Sequence, residues 1–86
     1  MLVVYKSVVG VDEALTKREK SLIALAGAHV KQCPYCIDGY TISCLNNGSN
    51  SDQMTEAVHV EAAMEACIKL VYGVQMHNVL MEKGAL

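Results

Sequence analysis

Chemistry in this sequence concentrates in Cys33-Pro34-Tyr35-Cys36. Two thiols spaced by two residues can close a disulfide where local geometry permits. At a helix start, unpaired backbone N–H groups and the helix dipole both favour negative charge. Such a setting lowers a thiol pKa from its ordinary value of about 8.5, so more thiolate exists at neutral pH. One sulfur can then attack an electrophile, and the other can resolve the product as an internal disulfide. The same residues also allow a structural pair or half a zinc site. Zinc needs further ligands, and the spacings of Cys44 and Cys67 from the pair match no common ribbon or finger. Those two cysteines read as small buried apolar residues.

Other residues could assist the thiols. His59 lies on a helical pattern with Ala62, Ala63 and Ala66 on the same side, where another helix can come close, and Glu56 stands one turn earlier. The competing reading of His59 is a half-buried ring bonded to a carbonyl. His29 precedes Cys33 by four residues and could lower its pKa by proximity. Glu19 sits on an otherwise apolar stripe, as a carboxylate near the site or the partner of a nearby lysine. His77 reads as surface or interface, and Met54, Met64, Met76 and Met81 as apolar filler.

Helices must position these groups. Residues 12 to 31 carry a helical pattern, with Leu15, Leu22, Ala26 and His29 on one stripe and Asp12 and Glu13 at the positive end of the dipole. Pro34 suits a first helical position, which starts a second helix at Cys33-Pro34 and ends it near Asn46-Asn47-Gly48. Asn50 with Gln53 three residues later forms a capping-box signature. From there to Lys83 the pattern is helical, as one helix or two bent near Cys67 or Gly73, and Gly84 marks the end. Residues 1 to 11 are an arm, either a short strand or an extended segment packed on a neighbour. The expectation is one all-α domain over residues 1 to 86.

The totals narrow the function. A chain of 86 residues with 52% hydrophobic and 19% charged residues has more apolar surface than a small single core can hide. Self-association is the simplest outlet. Net charge is −2, with scattered lysines and arginines, which argues against nucleic acid. No apolar stretch approaches the roughly 20 residues of a membrane span, and Lys6 breaks the apolar start before any cleavage site. A cytoplasmic location follows as the expectation, where a Cys-x-x-Cys pair is more often catalytic or metal-binding than structural.

Cys-Pro-Tyr-Cys also occurs in glutaredoxins. Their alternating strands and helices and second proline are not matched by a chain with a helix before the motif and a single proline. Residues 22 to 41, from Leu22 through Cys33, Cys36 and Tyr40 to Thr41, instead resemble the core of the carboxymuconolactone decarboxylase and alkylhydroperoxidase D superfamily. Residues 48 to 57 resemble its next turn and helix start, and the similarity runs over roughly residues 13 to 80. Within that superfamily the cysteine pair points to the peroxidase-like branch. Glu56-Ala-Val-His-Val60 and Gly73-Val-Gln-Met76 are similar to small peroxidase-like members linked to arsenosugar biosynthesis.

The resemblance implies an alkylhydroperoxidase D-like helical bundle assembled as a trimer or hexamer. It implies reduction of small hydroperoxides with no cofactor, Cys36 attacking and Cys33 donating a proton and closing the disulfide. An external dithiol, such as a lipoyl-bearing protein, would restore the thiols. The family signature also has a glutamate twelve residues before the first cysteine and a histidine four after the second. Here those positions hold Ser21 and Tyr40. A tyrosine hydroxyl, with a pKa near about 10, can donate a hydrogen bond to a thiolate but is a poor base. His59 is the first candidate to replace the missing base. The alternative outside enzymology is a helical oligomer whose cysteine pair is structural or binds zinc or a trivalent arsenical.

Overall fold

The computed structural model describes residues 7–85. Three helices carry them: α1 (Lys17–Val30), α2 (Pro34–Asn46) and α3 (Ser51–Glu82). No strand occurs among the described residues, so the all-α expectation holds. Of the N-terminal arm, residues 1–6 lie outside the described residues. Ser7 and Val8 are helical, and turns and bends follow as far as Leu15, so this part of the arm is neither strand nor extended.

The first helix begins five residues later than its apolar pattern suggests. Thr16 is the N-cap, and its hydroxyl accepts the Glu19 N–H while Glu19 accepts the Thr16 N–H at 2.9 Å. This capping box satisfies two amides that the helix cannot pair internally. It also explains why a carboxylate stands at position 19: Glu19 closes the cap rather than serving the cysteines. Asp12 lies outside the helix, yet its carboxylate accepts the Lys17 N–H at 2.7 Å and so still serves the positive helix end.

The buried face of α1 is Ser21, Leu25 and Ala28, not the stripe of Leu15, Leu22, Ala26 and His29. Leu15 falls before the helix and is exposed. The spacing of four and three still marks one side of a helix, rotated by about one residue from the expected stripe. Helix α1 packs against both α2 and α3. Leu25 is 2% exposed, and Cys44 of α2, fully buried, lies in the same small core.

All three helices end the same way. After α1, Gln32 takes φ 51°, its N–H bonds the His29 carbonyl, and the Cys33 N–H bonds the Ala28 carbonyl at 3.2 Å. After α2, Gly48 (φ 90°) and Ser49 repeat this with Leu45 and Cys44. After α3, Gly84 and Ala85 repeat it with Met81 and Leu80. These are Schellman closures, which use a left-handed residue to pair the last carbonyls. Glycine fills that position twice, and Gln32 fills it without a glycine's freedom.

Helix α3 is a single 32-residue helix, unbroken at Cys67 and Gly73. Its start is the Asn50–Gln53 capping box expected from the sequence. At 1.5 Å per residue it is about 48 Å long. Helices α1 and α2 have 14 and 13 residues, so α3 outruns them, and the molecule extends 56 Å in its longest direction.

Candidate functional site

Cys33 belongs to two helices at once. Its backbone N–H closes α1, and its side chain is the N-cap of α2, accepting the Cys36 N–H at 3.3 Å on Sγ. Pro34 occupies the first turn of α2, where the missing amide costs nothing. The pair therefore sits at the positive end of α2, as its spacing suggests. Both thiols are free and half-buried.

The two sulfurs are unlike each other. The Cys33 thiol is held below its ordinary pKa, first by a hydrogen bond from the Cys36 thiol and then by the Cys36 amide. Cys36 is pushed up, first through that same thiol contact with Cys33, then by burial and by the Cys33 charge. The Cys36 amide on Cys33 Sγ gives negative charge a hydrogen-bonded seat at Cys33, whereas the resemblance implies an attacking Cys36. His29 Nδ1 meets the Leu25 carbonyl of its own helix at 2.9 Å. The Cys44 thiol is pushed up by burial, as fits an apolar core residue, whereas Cys67 is exposed and is not one.

Beyond the pair, α2 carries a polar stripe. Tyr40 is half-buried one helical turn after Cys36. Ser43 and Asn47 continue the row, and there they meet Ser21 of α1. Ser21 is fully buried, shares a hydrogen bond with Ser43 at 3.3 Å, and accepts from the Asn47 amide at 2.9 Å. The residue at the family's glutamate position is thus spent on fastening α1 to the end of α2. A neutral hydroxyl fits that dry position where a carboxylate would lack a cation. Sequence reasoning missed Ser43 and Asn47, because their partner Ser21 is twenty-two and twenty-six residues away on another helix. It also missed the capping role of Glu19, for which Thr16-x-x-Glu19 was a readable signal.

His59 is exposed on α3, and no hydrogen bond among the described residues joins it to either cysteine. Cys33 thus caps α2, Cys36 and Tyr40 follow one turn apart along it, and His59 lies exposed on α3. His29 instead lines a cavity of about 450 Å³ with Gln32, Glu61, Glu65 and Lys69, between the end of α1 and the middle of α3. It also borders a second cavity of about 240 Å³ beside Ile37 and Thr41. Among the described residues, no helix is long and apolar enough to cross a membrane.

The sequence profile of the carboxymuconolactone decarboxylase family matches residues 3–76. A relative from Paracoccus denitrificans, described as uncharacterized protein 4 in the cox locus, is 49% identical over 59 residues. That match covers 69% of this chain and 53% of the relative, so the chain spans about half the length of the curated protein it resembles. No solved structure matches the chain significantly.

Proposed function

The chain belongs to the carboxymuconolactone decarboxylase family, and on that premise we propose that it is a thiol oxidoreductase that reduces hydroperoxides or exchanges disulfides through Cys33 and Cys36. The observation that carries this reading is the hydrogen bond from the Cys36 amide to Cys33 Sγ at the N-cap of α2. The bond caps α2, and on a cysteine it also stabilises the thiolate, which raises the reactivity of that sulfur. The neighbouring thiol, kept protonated, is ready to resolve the first product. The overall conversion takes two thiols and a hydroperoxide to a disulfide, an alcohol and water.

Tyr40 serves in this reading as a hydroxyl on the same face of α2, able to steady charge near the pair but not to act as the family's histidine. An external dithiol, such as a lipoyl-bearing protein in the cytoplasm, would return the disulfide to thiols. His59, solvent-facing in the single chain, has a part only if assembly brings it to a site.

Assembly belongs to the same proposal. No residue of α3 is buried in the single chain, although the helix is rich in Val, Leu, Met and Ala. Leu70 is 77% and Tyr72 71% exposed, with Val71, Val74 and Met76 beside them. Each such side chain gains roughly 1.5–3 kcal/mol when fully buried, so a partner copy is the economical cover. Light scattering should report a homo-oligomer, and a monomer at micromolar concentration would remove this part of the proposal.

The test of the chemistry is thiol loss on mixing reduced protein with a small excess of cumene hydroperoxide. Loss of two thiols per chain, much faster than for free cysteine, is expected. Loss at the rate of free cysteine would reject hydroperoxide reduction. Zinc or a trivalent arsenical held tightly by the same thiols would then favour a ligand-binding role.

A further inference from the structure

We infer that Cys33 is the sulfur that enters the reaction and that its substrate is a disulfide presented from solvent, with Cys36 as the resolving thiol. This rests on the thiol oxidoreductase reading above and specifies its direction.

Three observations place Cys33 first. Its Sγ is the N-cap group of α2 and accepts the Cys36 amide. Its backbone is pinned from the other side, where its N–H closes α1 on the Ala28 carbonyl, so the sulfur is held in place without further ordering. Tyr35, between the two cysteines, is 83% exposed and stands out beside the half-buried pair. A solvent-facing ring next to a fixed thiolate is a platform for an extended thiol compound or peptide. Cys36 lies inside the first turn, and a second charge beside the Cys33 thiolate is disfavoured. The opposed pKa directions of the two thiols agree with this order.

The chemistry balances as follows. The Cys33 thiolate attacks one sulfur of the external disulfide, forming a mixed disulfide on Cys33 and expelling the first thiolate. That leaving group takes up a proton. Cys36 then gives up its proton, and its sulfur attacks Cys33 Sγ and expels the second thiolate, which is protonated in turn. The external disulfide has gained two electrons, and Cys33 and Cys36 have lost two as they join.

The test uses the full chain carrying Cys44→Ala and Cys67→Ala, with Cys33→Ser or Cys36→Ser added, mixed with glutathione disulfide. Mixed-disulfide formation is followed by mass spectrometry. The Cys36→Ser protein should accumulate a glutathione adduct on Cys33 at least ten times faster than Cys33→Ser accumulates one on Cys36. Faster adduct formation on Cys36 would overturn the order while leaving the redox reading intact. Rates equal to that of free cysteine at both positions would overturn the inference, and thiol loss with cumene hydroperoxide would then decide separately whether the redox reading stands. As a second readout, thiolate absorbance near 240 nm in the Cys36→Ala protein should titrate at higher pH than in Cys36→Ser. A serine hydroxyl can still donate to the Cys33 sulfur and alanine cannot, so identical titrations would also count against the inference.

Discussion

Asn47, the C-terminal cap of α2, donates from its side-chain amide to the buried hydroxyl of Ser21 in the first half of α1, at 2.9 Å. This bond and the Ser21–Ser43 bond run between helices whose other junction is the Cys33 turn. The hairpin that carries the cysteines is therefore fastened at both ends, by backbone closure at Cys33 and by a small polar network at Ser21.

Asn47→Ala should lower stability by about 1–3 kcal/mol, because it leaves Ser21 and Ser43 short of a donor in a dry place. Urea unfolding measures it. Combined with Ser21→Ala, the loss should be clearly less than the sum of the two single losses, since both remove one network. Full additivity would show that the bond contributes little.

Restoring the family's glutamate should harm this protein rather than activate it. Ser21→Glu puts a carboxylate where the side chain has no solvent, facing a hydroxyl and an amide but no cation. A cost of about 3 kcal/mol or more is expected. A thermal melt of Ser21→Glu unchanged from the parent protein would contradict this account of the position.

Gln32→Gly should stabilise the chain by about 0.5–1 kcal/mol. Gln32 is the described non-glycine residue with positive φ, at 51°, and a side chain pays for that conformation. The greater freedom of glycine in the unfolded chain takes back part of the gain. Chemical denaturation gives the sign directly, and a loss of stability would mean that the Gln32 side chain has a role of its own.

Cys33, Cys36 and Cys44 should separate by pH and by folding. Cys33, more acidic than an ordinary thiol, should be alkylated by iodoacetamide at pH values well below about 8.5, where Cys36 and Cys44 stay protonated. Cys44 should react only when the chain unfolds, as it is wholly buried. The linkage has a definite sign. A thiol whose pKa falls on folding stabilises the reduced protein above its unfolded pKa, and the gain fades as pH drops through the depressed value. Against Cys33→Ser, the parent should therefore gain stability as pH rises toward that of a free thiol. Peptide mapping with pulse alkylation checks the reactivity, and unfolding at several pH values checks the linkage.

Much of this protein was legible one residue at a time. Pro34 after Cys33, Asn50 with Gln53, and Gly48 and Gly84 are local signals, and each stands at a helix end in the structure because caps and turns involve neighbours in sequence. The placement of the thiol pair at a helix start follows from the same short-range rules. Thr16 and Glu19 were equally local, but the apolar residues ahead of them imitated helical periodicity and masked the start of α1.

What tertiary structure alone decided concerns contacts between helices and differences between like groups. Which side of α1 is buried depends on packing against α2 and α3, so Leu15 looked like core and Ser21 did not. Asn47 and Ser43 gained their meaning from a helix far away in sequence. Cys33 and Cys36 are the same residue type in a symmetric motif. Only the fold shows that one sulfur receives an amide while the other sits beside the resulting charge, because a hydrogen bond is set by direction and distance in space, not by order along the chain.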